Sequence, residues 1–262
     1  MTTILITGAT DGIGKETAKA LLAAGQTVIL HGRNADKLAA AAQECGGAVT
    51  VQADLSILAE APRLADAALD LGDIDVVINN AGVFNTRQTR TADGLDTRFA
   101  VNTIAPYAIT QQLLESLGPL GRVINLSSAA QAPVSLAALR GEGTLSDGAA
   151  YAQSKLALTM WTNALAAERG ADGPMMVSVN PGSLLGTKMV RDAFGTSGKD
   201  MSIGVEILVR AALSDEFASA GGRYFDNDIG RFGPPHPDAT NIDKCRAVLH
   251  AVREIAQASA PT

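Results

Sequence analysis

The chain has 262 residues, of which 47% are apolar, 18% charged and 4% aromatic, with a formal charge of -6. That length suits one large α/β domain with a mainly aliphatic core, and the composition excludes disorder, collagen and coiled coil. The acidic balance gives no general attraction to nucleic acid or anionic membrane, so a polyanionic ligand needs local cations.

Short β-branched or aliphatic runs alternate along the chain with longer Ala/Leu-rich stretches. "TILIT" precedes "KETAKALLAA", "TVIL" precedes "ADKLAAAAQE", and "AVTV" precedes "LAEAPRLADAAL". "IDVVIN", "YAITQQLLESL", "RVINLS", a helix from Ala149, "MMVSVN", a loop-and-helix region over 183–213 and "GGRYF" continue the series. This alternation predicts βαβ units and a parallel sheet of about seven strands, covered by helices on both faces, in one domain over 1–262.

Two segments break the rhythm, 129–148 ("AAQAPVSLAALRGEGTLSDG") and 226–240 ("DNDIGRFGPPHPDAT"). Rich in Gly, Pro and Asp, they read as surface excursions. Ligands of open α/β sheets bind beyond the carboxyl ends of the strands, so the excursion after "RVINLSS" is expected to form a wall of the substrate site. The region 183–213, and 185–203 within it, reads as a lid.

Two cysteines, Cys45 and Cys245, stand 200 positions apart with no His at metal-ligand spacing, so neither a disulfide framework nor a metal site is expected. No stretch approaches the ~18 apolar residues of a membrane span, and no leader pattern precedes Ile4. The expected location is the cytoplasm.

The first strand runs into "TGATDGIGKETA". Gly8, Gly12 and Gly14, with Thr10, Asp11 and Ile13 between them, form a turn that would bring a pyrophosphate to a helix N-terminus, where N–H groups and the dipole favour negative charge. After the second strand come His31, Gly32, Arg33 and Asn34, with no acid to take a ribose 2'-hydroxyl. Arg33 offers a planar fork suited to a 2'-phosphate, which favours NADP(H) over NAD(H); an Arg solvated at a strand end is the plain alternative. Asp36 reads as a first-turn helix acid. In "YAQSK", Tyr151 and Lys155 lie one turn apart on one helix face.

Taken together, "TGATDGIG", "NNAG" (79–82), "VN" (101–102), "NLSS" (125–128) and "YAQSK" (151–155) resemble the short-chain dehydrogenase/reductase family in order and spacing, from residue 3 to about residue 190. The resemblance implies a Rossmann-type doubly wound sheet. It places Asn80, Ala81 and Gly82 in a loop that stabilises the central sheet and flanks the cofactor, and sets Asp54, with Leu55, at the adenine. Asp54 has a second reading as the cap of the following helix.

The resemblance assigns catalysis to Asn102, Ser128, Tyr151 and Lys155. Tyr151 would exchange the proton of the substrate oxygen, and Ser128 would orient the carbonyl. Lys155 would lower the phenol's pKa and bond the nicotinamide ribose, and Asn102 would hold a water leading from Lys155 to solvent. Ser127 competes with Ser128, since alternation along a strand lets only one face the pocket.

Pro181 and Gly182 match the family's Pro-Gly, and Thr187, one residue later than usual, would meet the carboxamide. The 23 positions from Ser128 to Tyr151 exceed the usual dozen and, with "GIGKETA" and "TADGLDTRFAVN", resemble the retinol-dehydrogenase-like and protochlorophyllide-reductase-like branch. The implied activity is hydride transfer between NADP(H) and a small carbonyl or secondary alcohol, with no nucleic-acid partner, and with either pairing of copies as a homodimer or homotetramer through helices that include the Tyr/Lys helix or, given the long excursion, a monomer. The alternatives are a catalytically silent NADP(H)-binding sensor or scaffold and, more remotely, a sugar-nucleotide epimerase.

Overall fold

A computed structural model describes residues 1–259. Strands β1 (Thr3–Ile6), β2 (Thr27–Gly32), β3 (Val49–Gln52), β4 (Val76–Asn79), β5 (Arg122–Leu126), β6 (Met175–Asn180), β7 (Tyr224–Asp226) and β8 (Arg231–Phe232) form one sheet in the order 3-2-1-4-5-6-7-8. All neighbours pair parallel except β7 and β8, which are antiparallel. The eighth strand lies inside the segment expected to be a surface excursion, and its two residues are too few to give an alternation signal.

Helices α1 (Gly12–Ala23), α2 (Ala35–Glu44) and α3 (Glu60–Leu69) connect the first four strands. A short helix, α4 (Thr97–Phe99), passes through a π-turn over Ala100–Ile104, where the Ala105 N–H bonds the Ala100 carbonyl, into α5 (Ala105–Leu117). Then follow α6 (Leu136–Leu139), α7 (Asp147–Arg169), α8 (Lys188–Phe194), α9 (Ser202–Leu213), α10 (Pro237–Thr240) and α11 (Ile242–Ala258).

Central strands are buried along their whole length, as a parallel sheet covered on both faces requires. One core cluster joins the sheet to α3, α5, α7 and α11, through Leu64, Phe99, Leu113, Trp161 and Val252. The other joins it to α1 and α9, through Ile6, Leu21, Ile78, Leu208 and Phe217. Helix α11 buries Cys245, Val248, Leu249, Ala251 and Val252, and α7 is its most extensive helix neighbour. Strand order reverses direction between β1 and β4, and the crevice at such a switch point is where an open sheet takes ligands. None of the described helices is long and apolar enough to cross a membrane.

Candidate active site

A cavity of about 670 Å³ opens at the carboxyl ends of the strands, within the usual range for a small-molecule site. Among the residues anticipated from sequence, Gly8, Thr10, Asp11, Gly12, Ile13, Gly14, Arg33, Asp54, Leu55, Asn80, Ala81, Gly82, Ser128, Tyr151, Lys155, Pro181, Gly182 and Thr187 line it. Asn34 and Asn102 do not.

The glycine turn is tied down from two sides. Asn80 Nδ2 donates to the carbonyls of Thr7 (2.8 Å) and Gly8 (3.0 Å), and the Ala81 N–H donates to Thr7 Oγ1. A Cβ at Gly14 would lie 2.4 Å from Asn80 Nδ2 and 2.5 Å from the Gly8 carbonyl oxygen, so only glycine permits this approach. Gly12 has φ +56°, and a Cβ there would reach to 3.8 Å from Thr187 Cγ2. Even a methyl at Gly12 would thus touch the opposite wall, so the missing side chain keeps the narrow gap between the turn and Thr187 open. Asp11 accepts the Gly12 N–H at 2.7 Å, so its exposed carboxylate must turn aside for a diphosphate to use that donor.

His31 was not recognised from sequence. Its Nδ1 accepts the Gly8 N–H (3.1 Å), which leaves Nε2 protonated to donate to the Ala53 carbonyl (3.0 Å). Burial holds its pKa below the ordinary value, and the neutral ring braces the glycine turn against the end of β3. Arg33 stands exposed at the rim, and among the described residues its guanidinium has no ion-pair partner. Asn34, which does not line the cavity, uses its Oδ1 to accept the Lys37 N–H at 2.9 Å as the cap of α2. Asp36 is a first-turn acid of α2, as anticipated. Asp54 closes a local turn by accepting the N–H and Oγ of Ser56, while the residue preceding α3 is Ala59, so Asp54 is not that helix's cap.

Ser127 and Ser128 separate cleanly. The Ser127 hydroxyl is buried against α7, 2.7 Å from Thr159 Oγ1 and 3.2 Å from the Lys155 carbonyl. The Ser128 hydroxyl lies against the Tyr151 phenol and accepts the Ala130 N–H. Lys155 is 5% exposed, and its Nζ donates to the Leu126 carbonyl at 2.6 Å and lies 5.8 Å from the centre of the Tyr151 ring.

Burial pulls the Lys155 pKa from 10.5 down to about 8. The same burial raises the Tyr151 pKa, with the Ser128 hydroxyl opposing the rise. Burial, which removes water from the phenolate, sets the direction of the Tyr151 shift, and Lys155 is not among the groups that move it.

Asn102 sits in the π-turn behind the wall. Its Oδ1 accepts the Val83 N–H (2.8 Å), and its Nδ2 donates to the Val83 carbonyl and Ser154 Oγ (3.0 Å each). Both amide hydrogens are committed, so the carboxamide positions the loop after β4 against α7. Around Tyr151 and Ser128 the lining is apolar: Val83, Phe84, Val101, Ala129 and Ala130, with the Phe84 ring centre 4.8 Å from that of Tyr151. Ser183, Leu184, Leu185 and Thr187–Val190 complete the far wall, and Thr187 Oγ1 accepts the Val190 N–H as the cap of α8. From 129–148, only Ala129 and Ala130 reach the cavity, a smaller share than the sequence led us to expect. Among the described residues, no cluster of three or more His, Cys, Asp or Glu side chains suits a metal.

A sequence model of the family described as short chain dehydrogenase matches residues 2–197. The chain belongs to that family. This short-chain dehydrogenase is 32% identical to an uncharacterised oxidoreductase of Emericella nidulans, across all of this chain and 99% of the relative. It is 31% identical to mouse retinol dehydrogenase 12, across 86% of this chain and 77% of the relative, consistent with the branch that the long Ser-to-Tyr spacing indicates. A Shigella flexneri protein solved in complex with NADP superimposes with a TM-score of 0.68 at 27% identity, over 86% of this short-chain dehydrogenase and 96% of that chain. Membership brings oxidoreductase chemistry with a nicotinamide cofactor and a small-molecule substrate.

Proposed function

We propose that the chain is an NADP(H)-dependent oxidoreductase acting between a carbonyl and a secondary alcohol, with Tyr151 as the general acid and base. The observation that carries this reading is the Tyr151 phenol set against the Ser128 hydroxyl in a mainly apolar pocket, one helical turn from the buried Lys155. The gap kept open above the glycine turn, the apposed Thr187 and the Arg33 cation at the rim fit a dinucleotide carrying a 2'-phosphate, and the NADP complex of the Shigella flexneri relative supports that preference. When bound, the nicotinamide supplies or accepts the hydride.

Asn80, Ala81 and Gly82 border the cofactor space, with Asp54 and Leu55 towards its adenine end and Pro181, Gly182 and Thr187 opposite. The Ser128 hydroxyl donates to the substrate carbonyl and fixes its oxygen beside the phenol. Burial keeps Tyr151 protonated at neutral pH, so it is poised to donate to that oxygen in reduction. Lys155, with a pKa of about 8, supplies a nearby proton that stabilises the phenolate left behind. Asn102 and Ser154 hold the Tyr/Lys helix in register with the loop after β4. The lining around Tyr151 matches an apolar group on the reacting carbon.

Pairing through α7 would require displacement of α11, so we propose that the working unit is a single copy; sedimentation at micromolar concentration tests this. The two buried free thiols, Cys45 and Cys245, fit the reducing cytoplasm.

Fluorescence titration with NADPH and NADH is the first test. NADPH is expected to bind at least tenfold tighter, with the difference lost in Arg33→Ala. Tyr151→Phe is expected to lower kcat on a verified carbonyl by about 10²–10⁴ without loss of NADPH binding. Binding with no turnover across a carbonyl panel would favour the sensor reading.

A further inference from the structure

The far wall of the cavity, 181–190, belongs to a segment that adds no strand to the sheet, yet it is held at a defined depth. Leu184 has φ +56°, an uncommon conformation for a residue with a side chain. Its carbonyl accepts the Lys199 N–H (2.7 Å), and the Lys199 carbonyl accepts the Gly186 N–H (2.7 Å). These bonds fold the segment on itself but do not fix it to the sheet.

Leu185 is buried against Gly204 of α9 and the Gly182 N–H bonds Asn180 Oδ1 at 3.2 Å, and the main polar anchor comes from the turn between β7 and β8. Asp228 accepts the Ser183 N–H on Oδ1 (2.9 Å), and Ser183 Oγ and Asn180 Nδ2 (2.9 Å) on Oδ2. Lys199 Nζ lies 3.7 Å from Oδ1. Asn227 Nδ2 donates to the carbonyls of Pro181 (2.9 Å) and Ile203 (3.1 Å), joining the root of the segment to α9. Asp226 Oδ1 shares Asn180 Nδ2 and accepts the Asp228 N–H. The Asp228 carboxylate thus reaches across to three separated positions, Asn180, Ser183 and Lys199.

We infer that Asp228 is a positioning residue for the dinucleotide: the β7–β8 turn sets the height of the 181–190 wall above the glycine turn, and so the affinity for the part of the cofactor between them. This rests on the NADP(H) reading above. The wall stands opposite Gly12, while Arg33 lies on the β2 side, so the two halves of the ligand are held by different elements. Loss of the anchor should weaken the whole dinucleotide and spare a fragment held only at the Arg33 end.

The experiment compares NADPH with adenosine 2',5'-bisphosphate in wild type, Asp228→Ala, Asp228→Asn and Ser183→Ala, by fluorescence and calorimetric titration. Asp228→Ala should weaken NADPH by about 10–100-fold, Asp228→Asn less, and Ser183→Ala by severalfold. The fragment should bind all four proteins within twofold, and amide exchange in 181–190 should quicken in Asp228→Ala. The KM for NADPH should rise more than kcat falls. Equal NADPH affinity in wild type and Asp228→Ala overturns the inference while leaving the NADP(H) reading intact. A parallel loss of both ligands overturns it too, as general unfolding; Ser183→Ala, which removes one hydroxyl, decides the matter if Asp228→Ala does not fold. A wild-type protein that binds neither NADPH nor NADH overturns the cofactor reading itself.

Discussion

Two segments leave the sheet at neighbouring points, one after β5 and one after β6, and have opposite fates. The first, 129–148, turns away from the cavity: Ala138 and Leu139 enter the core beside α11, Arg140 pairs with Glu254, and Arg90 donates to the carbonyls of Gly94, Gly141 and Gly143. The second, 181–199, arches over the cavity and lines it with Ser183–Leu185 and Thr187–Val190. Both begin beyond the carboxyl end of a strand, so that position alone does not make a segment a binding wall. What distinguishes them is where their backbone and apolar groups find partners, in the core for one and at the β7–β8 turn for the other.

The largest expected effect on substrate choice would sharpen that contrast. If the far wall and the lining around Tyr151 meet the substrate, a neutral alkyl or aryl ketone should exceed its carboxylate-bearing analogue in kcat/KM by about 10²–10³, because an unpaired carboxylate is costly to bury. A preference for the carboxylate would break it, by making Lys188 at the cavity edge a substrate ligand rather than a solvated helix residue.

Between the two segments stands Lys155, bonded to the carbonyl of Leu126 just before Ser127 and Ser128. With its pKa lowered from 10.5 to about 8, the unfolded chain carries a proton here between those pH values that the fold has lost. This group therefore makes stability rise with pH across that window, and its charge is a penalty of about 3 kcal/mol below pH 8. Lys155→Met should remove most of that penalty, raising denaturant stability at pH 7 and flattening its rise between pH 8 and 10.5, while abolishing turnover. Unchanged stability at pH 7 would show that the ammonium is well solvated in the fold.

The smallest effect concerns the segment that turns away. Arg90→Ala removes a charged donor from three carbonyls, and is expected to lower Tm by roughly 3–6 °C with kcat/KM unchanged. A kinetic change of tenfold or more would mean that 129–148 communicates with the cavity after all.

Much of the fold was legible because each buried parallel strand is a short aliphatic run and each helix a longer Ala/Leu-rich one; "ADKLAAAAQE" and "MMVSVN" coincide with α2 and β6. β8 escaped because a two-residue strand has no period to read. The placement of the glycine turn and of the Tyr151/Lys155 pair at the cavity was legible because each is set by local spacing along the chain. His31, Phe84 and Asp228 were not, since each acts through a neighbour brought close by folding: Gly8 at 23 positions for His31, Tyr151 at 67 for Phe84, and Ser183 at 45 for Asp228. The capping role of Asn34 was not read from sequence, because capping and ligand binding favour the same short amide. The sign of the Tyr151 shift needed burial, which spacing does not report.

The cover that α11 gives α7 also orders events in time. Ile242 is synthesised 73 residues after Arg169, the last residue of α7. At about 5–20 residues per second, the helix bearing Tyr151 and Lys155 waits roughly 4–15 s on the ribosome before its apolar cover emerges. The helix that carries Tyr151 and Lys155 is therefore completed early and shielded late, and its α11-facing side stays uncovered throughout that interval.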